Sequence, residues 1–199
     1  MINNYDLIAP LLNFTEPDDF YMLYVLKRKK DQPEGEKENH QSVRTLKTYC
    51  VTSLAYLKER EPEIIDFCEH FKARAYIHVN KQNHKNISLL MLERLAKRIR
   101  EGVINQKNLF DSVVGELHST EKRWVIDIDC DNEGWANLVG DFINTLRPAK
   151  DKILCKLPTK NGYHLITKRF DVLEFGKEFP DITIQRHNPT LYYLPNSLQ

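Results

Sequence analysis

Residues 123–131, RWVIDIDCD, contain the clearest structural pattern in this chain. Apolar and acidic side chains alternate there, which is the period of a β-strand with one buried face. Ile126 and Ile128 are expected to pack into a core, while Asp127 and Asp129 project together on the other face, about 6.5 to 7 Å apart. The segment therefore predicts a strand that directs two carboxylates at one place.

The residues after this strand predict a helix, a hairpin and a further pair of extended segments. The helix is expected from Gly134 to a point before Pro148, because proline cannot continue a helix. Asn161-Gly162 lies between two apolar stretches, and Asn-Gly in that position is a strong hairpin signal. The two extended segments of the hairpin are 152–159 and 163–170. Residues 180–197 contain the further pair, which is separated by a His-Asn-Pro turn.

The N-terminal part of the chain shows both strand and helix patterns. One helix is predicted from Leu54, interrupted or started by Pro62. A second is predicted from a capping Ser88 through Arg100, with an apolar stripe of Leu89, Leu92, Leu95, Ala96 and Ile99. Residues 44–53 fit either a strand or the continuation of a helix. The other predicted elements are short helices at 6–14 and 108–117, strands at 20–30 and 73–80, and a polar loop to about residue 40.

The predicted strands and helices indicate an α/β domain, and the composition is that of an ordinary globular protein. The chain has 199 residues, of which 41% are hydrophobic and 29% charged, and this suits one or two compact domains. We expect a single domain over residues 1–199; two lobes, 1–105 and 106–199, are the alternative. No apolar run is long enough for a membrane helix, and the N-terminus lacks the pattern of a signal peptide. A cytoplasmic protein without membrane contact is therefore expected.

Net charge and cysteine spacing argue against a strongly basic nucleic-acid-binding protein, a zinc protein and a disulfide-rich secreted protein. The formal net charge is +1, so nucleic-acid binding would need a locally basic groove. Arg74, Lys81 and Lys85 are candidates for such a groove, or are ordinary exposed charges. The basic run at 27–30 is followed by an acidic stretch, which is typical of a solvated loop. The four cysteines are scattered without zinc spacing, so reduced packing residues are expected.

The paired carboxylates of Asp127 and Asp129 point to a divalent metal. Two carboxylates on one face repel each other unless a cation lies between them. Oxygen ligands of this kind suit Mg²⁺ or Mn²⁺, which can serve phosphoryl transfer. The alternative is that both residues face solvent on an edge strand, and that Asp131 caps the next helix.

The predicted hairpin supplies groups that suit a triphosphate. His164 follows its turn, and a histidine can donate a hydrogen bond to a phosphate oxygen. The basic residues nearby are Lys156, Lys160, Lys168 and Arg169. We expect nucleotide binding by His164, Lys160, Lys168 and Arg169, although a hairpin histidine can also be purely structural. Arg186 and His187 could reach phosphate or lie exposed on a turn.

The order of these features resembles the primase-polymerase domain of the archaeo-eukaryotic primase superfamily. The resemblance rests on WVIDIDCD, a helix, PTKNGYHLIT and then PDITIQRHNPTLYYLPNS, and covers about residues 122–198. It implies a compact α+β domain with a mixed or antiparallel sheet, flanking helices and an N-terminal α/β lobe.

The resemblance also implies an activity and a set of site residues. Asp127 and Asp129 would be catalytic metal ligands, Asp181 the third carboxylate, and His164 the contact to the incoming triphosphate. The chain would be a nucleotidyltransferase that uses Mg²⁺ or Mn²⁺, nucleoside triphosphates and a single-stranded DNA or RNA template. A helicase or other replication protein would come from another chain.

Two other functions stay open on the residues alone. The same carboxylates could position water in a metal-dependent nuclease. A non-catalytic relative could keep the fold as a nucleic-acid-binding module of a mobile element or phage. The near-zero net charge and the single glycine in the turn before His164 keep this second alternative open.

Overall fold

The fold combines two antiparallel sheets with six helices in the part of the chain that the structure describes. This structure is a computed structural model, and it describes residues 1–31, 43–105, 108–117 and 122–198. The strands are β1 (Ile2–Asn3), β2 (Asp19–Arg28), β3 (Val43–Val51), β4 (Arg74–Ile77), β5 (Gln82–Asn83), β6 (Trp124–Ile128), β7 (Ile153–Pro158), β8 (Tyr163–Thr167), β9 (Thr183–Gln185) and β10 (Thr190–Leu194). The helices are α1 (Tyr5–Ile8), α2 (Leu54–Phe71), α3 (His84–Arg100), α4 (Leu109–Glu116), α5 (Glu133–Thr145) and α6 (Val172–Glu178). The predicted α+β class is confirmed.

The first sheet joins strands from both ends of the chain. Its order is β1-β10-β4-β2-β3, and β5 pairs with the start of β2. Residues 44–53, which fitted either a strand or a helix, lie mostly in β3. Successive residues of β2 face opposite sides of the sheet. Leu23 and Val25 pack in a cluster with α2, whereas Phe20 and Met22 pack in a cluster with α3 and α4.

The second sheet has the order β7-β8-β6-β9, so β6 is an interior strand. The alternative in which Asp127 and Asp129 lie on an edge strand is therefore wrong. The predicted hairpin is confirmed, because β7 and β8 are antiparallel neighbours joined through Asn161-Gly162. The two extended segments of 180–197 are present as β9 and β10, but they pair with different sheets.

The two faces of the second sheet have different partners. Val125, Leu157 and Ile166 share one buried cluster with residues of the first sheet. Ile126 and Ile128 belong to a second cluster, formed with α5 and α6. Asp127 shares the face of Val125 by strand alternation, and it is therefore directed toward the first sheet.

The helices differ from the prediction at several ends. Helix α2 runs without a break through Pro62, and the Ser53 hydroxyl caps it by accepting from the Tyr56 N–H. Helix α3 starts at His84 with Asn83 as its cap, so the predicted cap at Ser88 is wrong. Helix α5 is capped by Asn132, not by Asp131.

Helix α6 was not predicted, although Asp171 before an apolar run is a helix-start signal. The Asp171 carboxylate does accept hydrogen bonds from two N–H groups of the first turn.

The basic run at 27–30 begins inside β2, so Lys27 and Arg28 are strand residues. Most of the predicted polar loop, residues 32–42, lies outside the described residues. No helix among the described residues is long and apolar enough to cross a membrane.

His78, directly after β4, makes the stability of the first sheet depend on pH. Burial, with a smaller contribution from His187, lowers the pKa of His78 to about 4. In the unfolded chain the pKa is about 6.5, so the unfolded state binds the proton first as the pH falls. We expect this residue's contribution to the free energy of unfolding to be complete above about pH 6.5 and to fall by about 2 to 3 kcal/mol towards pH 4.

Urea unfolding of the wild type and of His78→Gln, followed between about pH 7 and pH 4, measures this effect. The variant removes the titrating ring, so the difference in stability between the two proteins should shrink as the pH falls. The same pH dependence in both proteins would contradict the assignment to His78.

Candidate functional site

A pocket of about 430 Å³ lies between the two sheets. Four of the predicted site residues, Asp127, Asp129, Lys160 and His164, contribute to its wall. The first sheet contributes Leu26, Arg28, Val43, Arg74, Tyr76 and Leu191, and the remaining lining residues are Thr159, Asn161, Gln185, Asn188 and Pro189. The volume is within the range of sites for small molecules.

The Asp127 carboxylate is held by two side chains from the neighbouring strands. His164 lies directly opposite Asp127 in the β6–β8 register, and its Nε2 is 3.3 Å from Asp127 Oδ1. On the other side, Gln185 of β9 donates from Nε2 to Asp127 Oδ2 at 2.9 Å. The hydrogen bond from His164 lowers the pKa of Asp127, aided by the charge of Arg28, while burial opposes the shift. Asp127 is therefore anionic, and its side chain keeps 27% of its surface exposed.

His164 links the second sheet to the first. Its Nδ1 is 2.8 Å from the Thr190 hydroxyl of β10, and both residues are buried. Thr190, His164, Asp127 and Gln185 thus form a continuous chain of polar contacts between the sheets. Partners at both ring nitrogens fix the orientation of the imidazole.

Replacing Thr190 by valine is expected to destabilise the protein and to free the His164 ring. Valine keeps the shape but removes the hydroxyl, so Nδ1 loses its partner in a buried place, at a cost of about 1 to 2 kcal/mol. Chemical denaturation measures the stability, and the ¹⁵N shifts of the imidazole report its tautomer. Thr48→Val, at an exposed threonine of β3 away from the pocket, is the matched control. Equal effects of the two substitutions would contradict a specific role for Thr190.

Gly162 brings the β7–β8 turn onto the end of β6. A Cβ atom at this position would lie 2.0 Å from the Ile128 carbonyl oxygen and 2.6 Å from the Cys130 nitrogen. Backbone atoms cannot approach a side-chain carbon so closely, so only glycine fits. The close contact holds Lys160 and Asn161 next to the backbone that carries Asp129, an exposed residue of the pocket wall.

Three cationic side chains surround the carboxylates. Arg74 forms an ion pair with Asp31 at 2.6 Å, and both side chains are buried, with 3% and 7% exposure. Arg28 is exposed, and its charge acts on Asp127. The Lys160 ammonium donates to the Leu198 carbonyl oxygen. Within the described part of the chain, Arg28 and Lys160 are therefore the pocket cations that form no ion pair with a buried carboxylate.

The structure does not bring the other predicted site residues into the pocket wall. Lys168 and Arg169 are exposed beyond the opposite end of β8, roughly 13 to 17 Å along the strand from His164. Asp181 is exposed in the turn before β9 and does not line the pocket. Lys156 pairs with Glu133, and the Arg186 guanidinium stacks over the Trp124 ring at 5.4 Å.

Several pocket residues were not predicted. Arg28 follows Tyr24 and Leu26 on one face of β2, and this alternation was the signal that could have identified it. Gln185 likewise follows the alternation of β9. Tyr76 likewise follows Arg74 on one face of β4. Thr190 carries no such signal, because its position at the site depends on how the two sheets pack.

Comparisons with protein-family models, with curated proteins and with solved structures found no match to this chain.

Proposed function

We propose that this chain is a metal-dependent nucleotidyltransferase of the primase-polymerase type, acting on nucleoside triphosphates and a single-stranded DNA or RNA template. The observation that carries the proposal is the convergence of Asp127, Asp129 and His164 on one pocket that also contains Arg28 and Lys160. Carboxylates beside cations suit a ligand that combines a metal ion with phosphates. A separate helicase or other replication protein is the expected partner.

The donor set of the pocket fits Mg²⁺ or Mn²⁺. Asp127 is held anionic, and Asp129, directly after the end of the same strand, lines the same pocket. Both side chains offer hard oxygen atoms, which these ions prefer. Asp127 and Asp129 would hold the ion, which when bound supplies charge neutralisation at phosphate oxygens.

The chain's own residues would bind and orient the substrate. Arg28 and Lys160 face the pocket and would supply counter-charge to a triphosphate. Gln185 and His164 keep the Asp127 carboxylate in one orientation, so little reorganisation is needed when substrate binds. Catalysis would consist mainly of positioning and of charge neutralisation, as in other phosphoryl transfers.

The test is a titration of the purified protein with Mn²⁺ and a nucleoside triphosphate, followed by incubation with primed and unprimed single strands. The proposal requires metal-dependent nucleotide binding and longer products, both lost when the metal is chelated. Shortened strands without any requirement for nucleoside triphosphate would instead identify a nuclease. Absence of both binding and product formation would overturn the proposed activity.

One observation favours a second candidate, a non-catalytic nucleic-acid-binding module. Both oxygens of Asp127 and both ring nitrogens of His164 already have partners within the chain. A site that satisfies its own polar groups can serve the packing of two sheets alone. Salt-sensitive binding of single strands without metal-dependent nucleotide binding would support this candidate.

A further inference from the structure

The first sheet contributes an aromatic and aliphatic surface to the pocket, opposite the carboxylates of the second sheet. Leu191 of β10 lies directly opposite Tyr76 of β4, and Leu26 of β2 lies directly opposite Arg74. Leu191, Tyr76 and Leu26 all line the pocket, and together they form its apolar wall. The pocket therefore offers a surface for an apolar group as well as ligands for a metal ion.

The apolar wall ends at a cation. Arg28 follows Leu26 on the same face of β2 and also lines the pocket. Tyr24 lies opposite Tyr76 in the β2–β4 register, so the row of Tyr76 and the row of Arg28 are about 13 Å apart along the strand. A ligand with a flat apolar group at one end and phosphates at the other matches this arrangement.

Tyr76 lies beside a buried ion pair. Arg74, two residues before it on the same face of β4, pairs with Asp31 at 2.6 Å, and both of these side chains are buried. Burial opposes the charged form of Arg74, but the Asp31 carboxylate and the nearby Tyr76 phenol raise the pKa of Arg74 above its ordinary value. The hydroxyl end of Tyr76 is therefore close to a guanidinium that is itself held in place.

The ion pair is better explained by this positioning than by stability. A buried ion pair stabilises a fold little more than apolar residues of the same size would. Its place beside the apolar wall restricts the movement of Tyr76, whose half-buried side chain lines the pocket. An aromatic ring that is already fixed loses little conformational freedom when a ligand stacks on it.

We infer that Tyr76 is the platform on which the base of the bound nucleoside triphosphate stacks, with Leu26 and Leu191 at its sides; this inference rests on the proposed function. Stacking uses the face of the base and leaves its edge free to pair with a template. Every base has such a face, so stacking on Tyr76 is compatible with all four nucleotides, as templated synthesis requires.

Calorimetry in the presence of Mn²⁺, with ATP and with inorganic triphosphate as separate ligands, tests the inference. Tyr76→Leu should weaken ATP binding about tenfold, because the stacking surface is lost. The same substitution should leave the affinity for triphosphate within about twofold of the wild type, because triphosphate has no base to stack. Tyr76→Phe keeps the ring but not the hydroxyl, so its affinity for ATP should lie between those of the wild type and Tyr76→Leu.

The control is Tyr56→Leu, at a half-buried tyrosine of α2 that is not part of the pocket wall. It should leave both affinities unchanged. Unchanged ATP binding by Tyr76→Leu, or an equal loss for ATP and triphosphate, would overturn the inference. The wild type supplies a second test, because the fluorescence of a 2-aminopurine nucleoside triphosphate should fall when its base stacks; an unchanged signal on binding would also overturn the inference.

These measurements separate the base site from the proposed activity. ATP binding that depends on Tyr76, without any nucleotide incorporation, would support the base site and overturn the proposed nucleotidyltransferase. Nucleotide incorporation together with wild-type ATP affinity in Tyr76→Leu would support the proposed activity and overturn the base site.

Discussion

Replacing Asp127 by asparagine is expected to lower metal-dependent nucleotidyl transfer by a factor of about 10² to 10³. Asparagine keeps the shape of the side chain, and its oxygen can still accept from Gln185 Nε2. The negative charge is lost, however, and with it the charge-assisted contact to His164 and one hard ligand for a divalent ion. The fold should be retained, because the side chain is partly exposed.

Two measurements together check this result. Calorimetry with Mn²⁺ and a nucleoside triphosphate reports binding, and single-turnover incorporation reports the chemical step. Asp141→Asn, at an exposed aspartate of α5, is a matched control that should behave like the wild type in both. Full activity of a folded Asp127→Asn protein would reject the proposed function.

The same assays decide whether Asp181 belongs to the site. The resemblance implies a third metal ligand at this position, yet the side chain is exposed in the turn before β9 and is not part of the pocket wall. A loss in Asp181→Asn comparable to that in Asp127→Asn would show that this turn moves toward the pocket when substrate binds. Unchanged activity would leave Asp127 and Asp129 as the carboxylates of the site.

Replacing Gly162 by alanine is expected to lower the free energy of unfolding by about 3 kcal/mol or more. The added methyl group would lie 2.0 Å from the Ile128 carbonyl oxygen, and the neighbouring atoms are backbone of β6 and its extension. Either the turn or the end of β6 must therefore shift. Because Asp129 and Lys160 lie on these two segments, nucleotide binding should weaken as well.

Gly176→Ala is the control for the Gly162 substitution. Gly176 lies in α6, and a Cβ atom there would meet nothing within 4 Å. Alanine in a helix is favoured over glycine by about 1 kcal/mol, so this variant should be slightly more stable than the wild type. Similar unfolding midpoints of the two alanine variants in urea would show that the turn does not depend on its contact with β6.

Local sequence patterns were sufficient for the elements that carry the site. The alternation in residues 123–131 and the Asn-Gly turn correctly indicated β6 and the β7–β8 hairpin. Both patterns express local chemistry, namely the two-residue period of a strand and the backbone freedom of glycine. The direction of Asp127 and Asp129 away from Ile126 follows from the same period.

Partners that come from distant parts of the chain could not be inferred in this way. Thr190 and Gln185 lie only five residues apart, yet the chain between them passes from the second sheet to the first. No local sequence pattern predicts that the chain changes sheets between β9 and β10, because strand pairing depends on the packing of both sheets around a shared core.

The exposed face of α3 shows the same division between local and tertiary information. The period of its apolar residues identified the helix, since that period belongs to the helix itself. Which side of α3 is buried was decided by the contacts of Ile87 with α4 and β2. The residues of this chain thus specify its strands, its turn and the two carboxylates at the end of β6. The pocket around them exists only because two sheets pack and leave polar side chains between them.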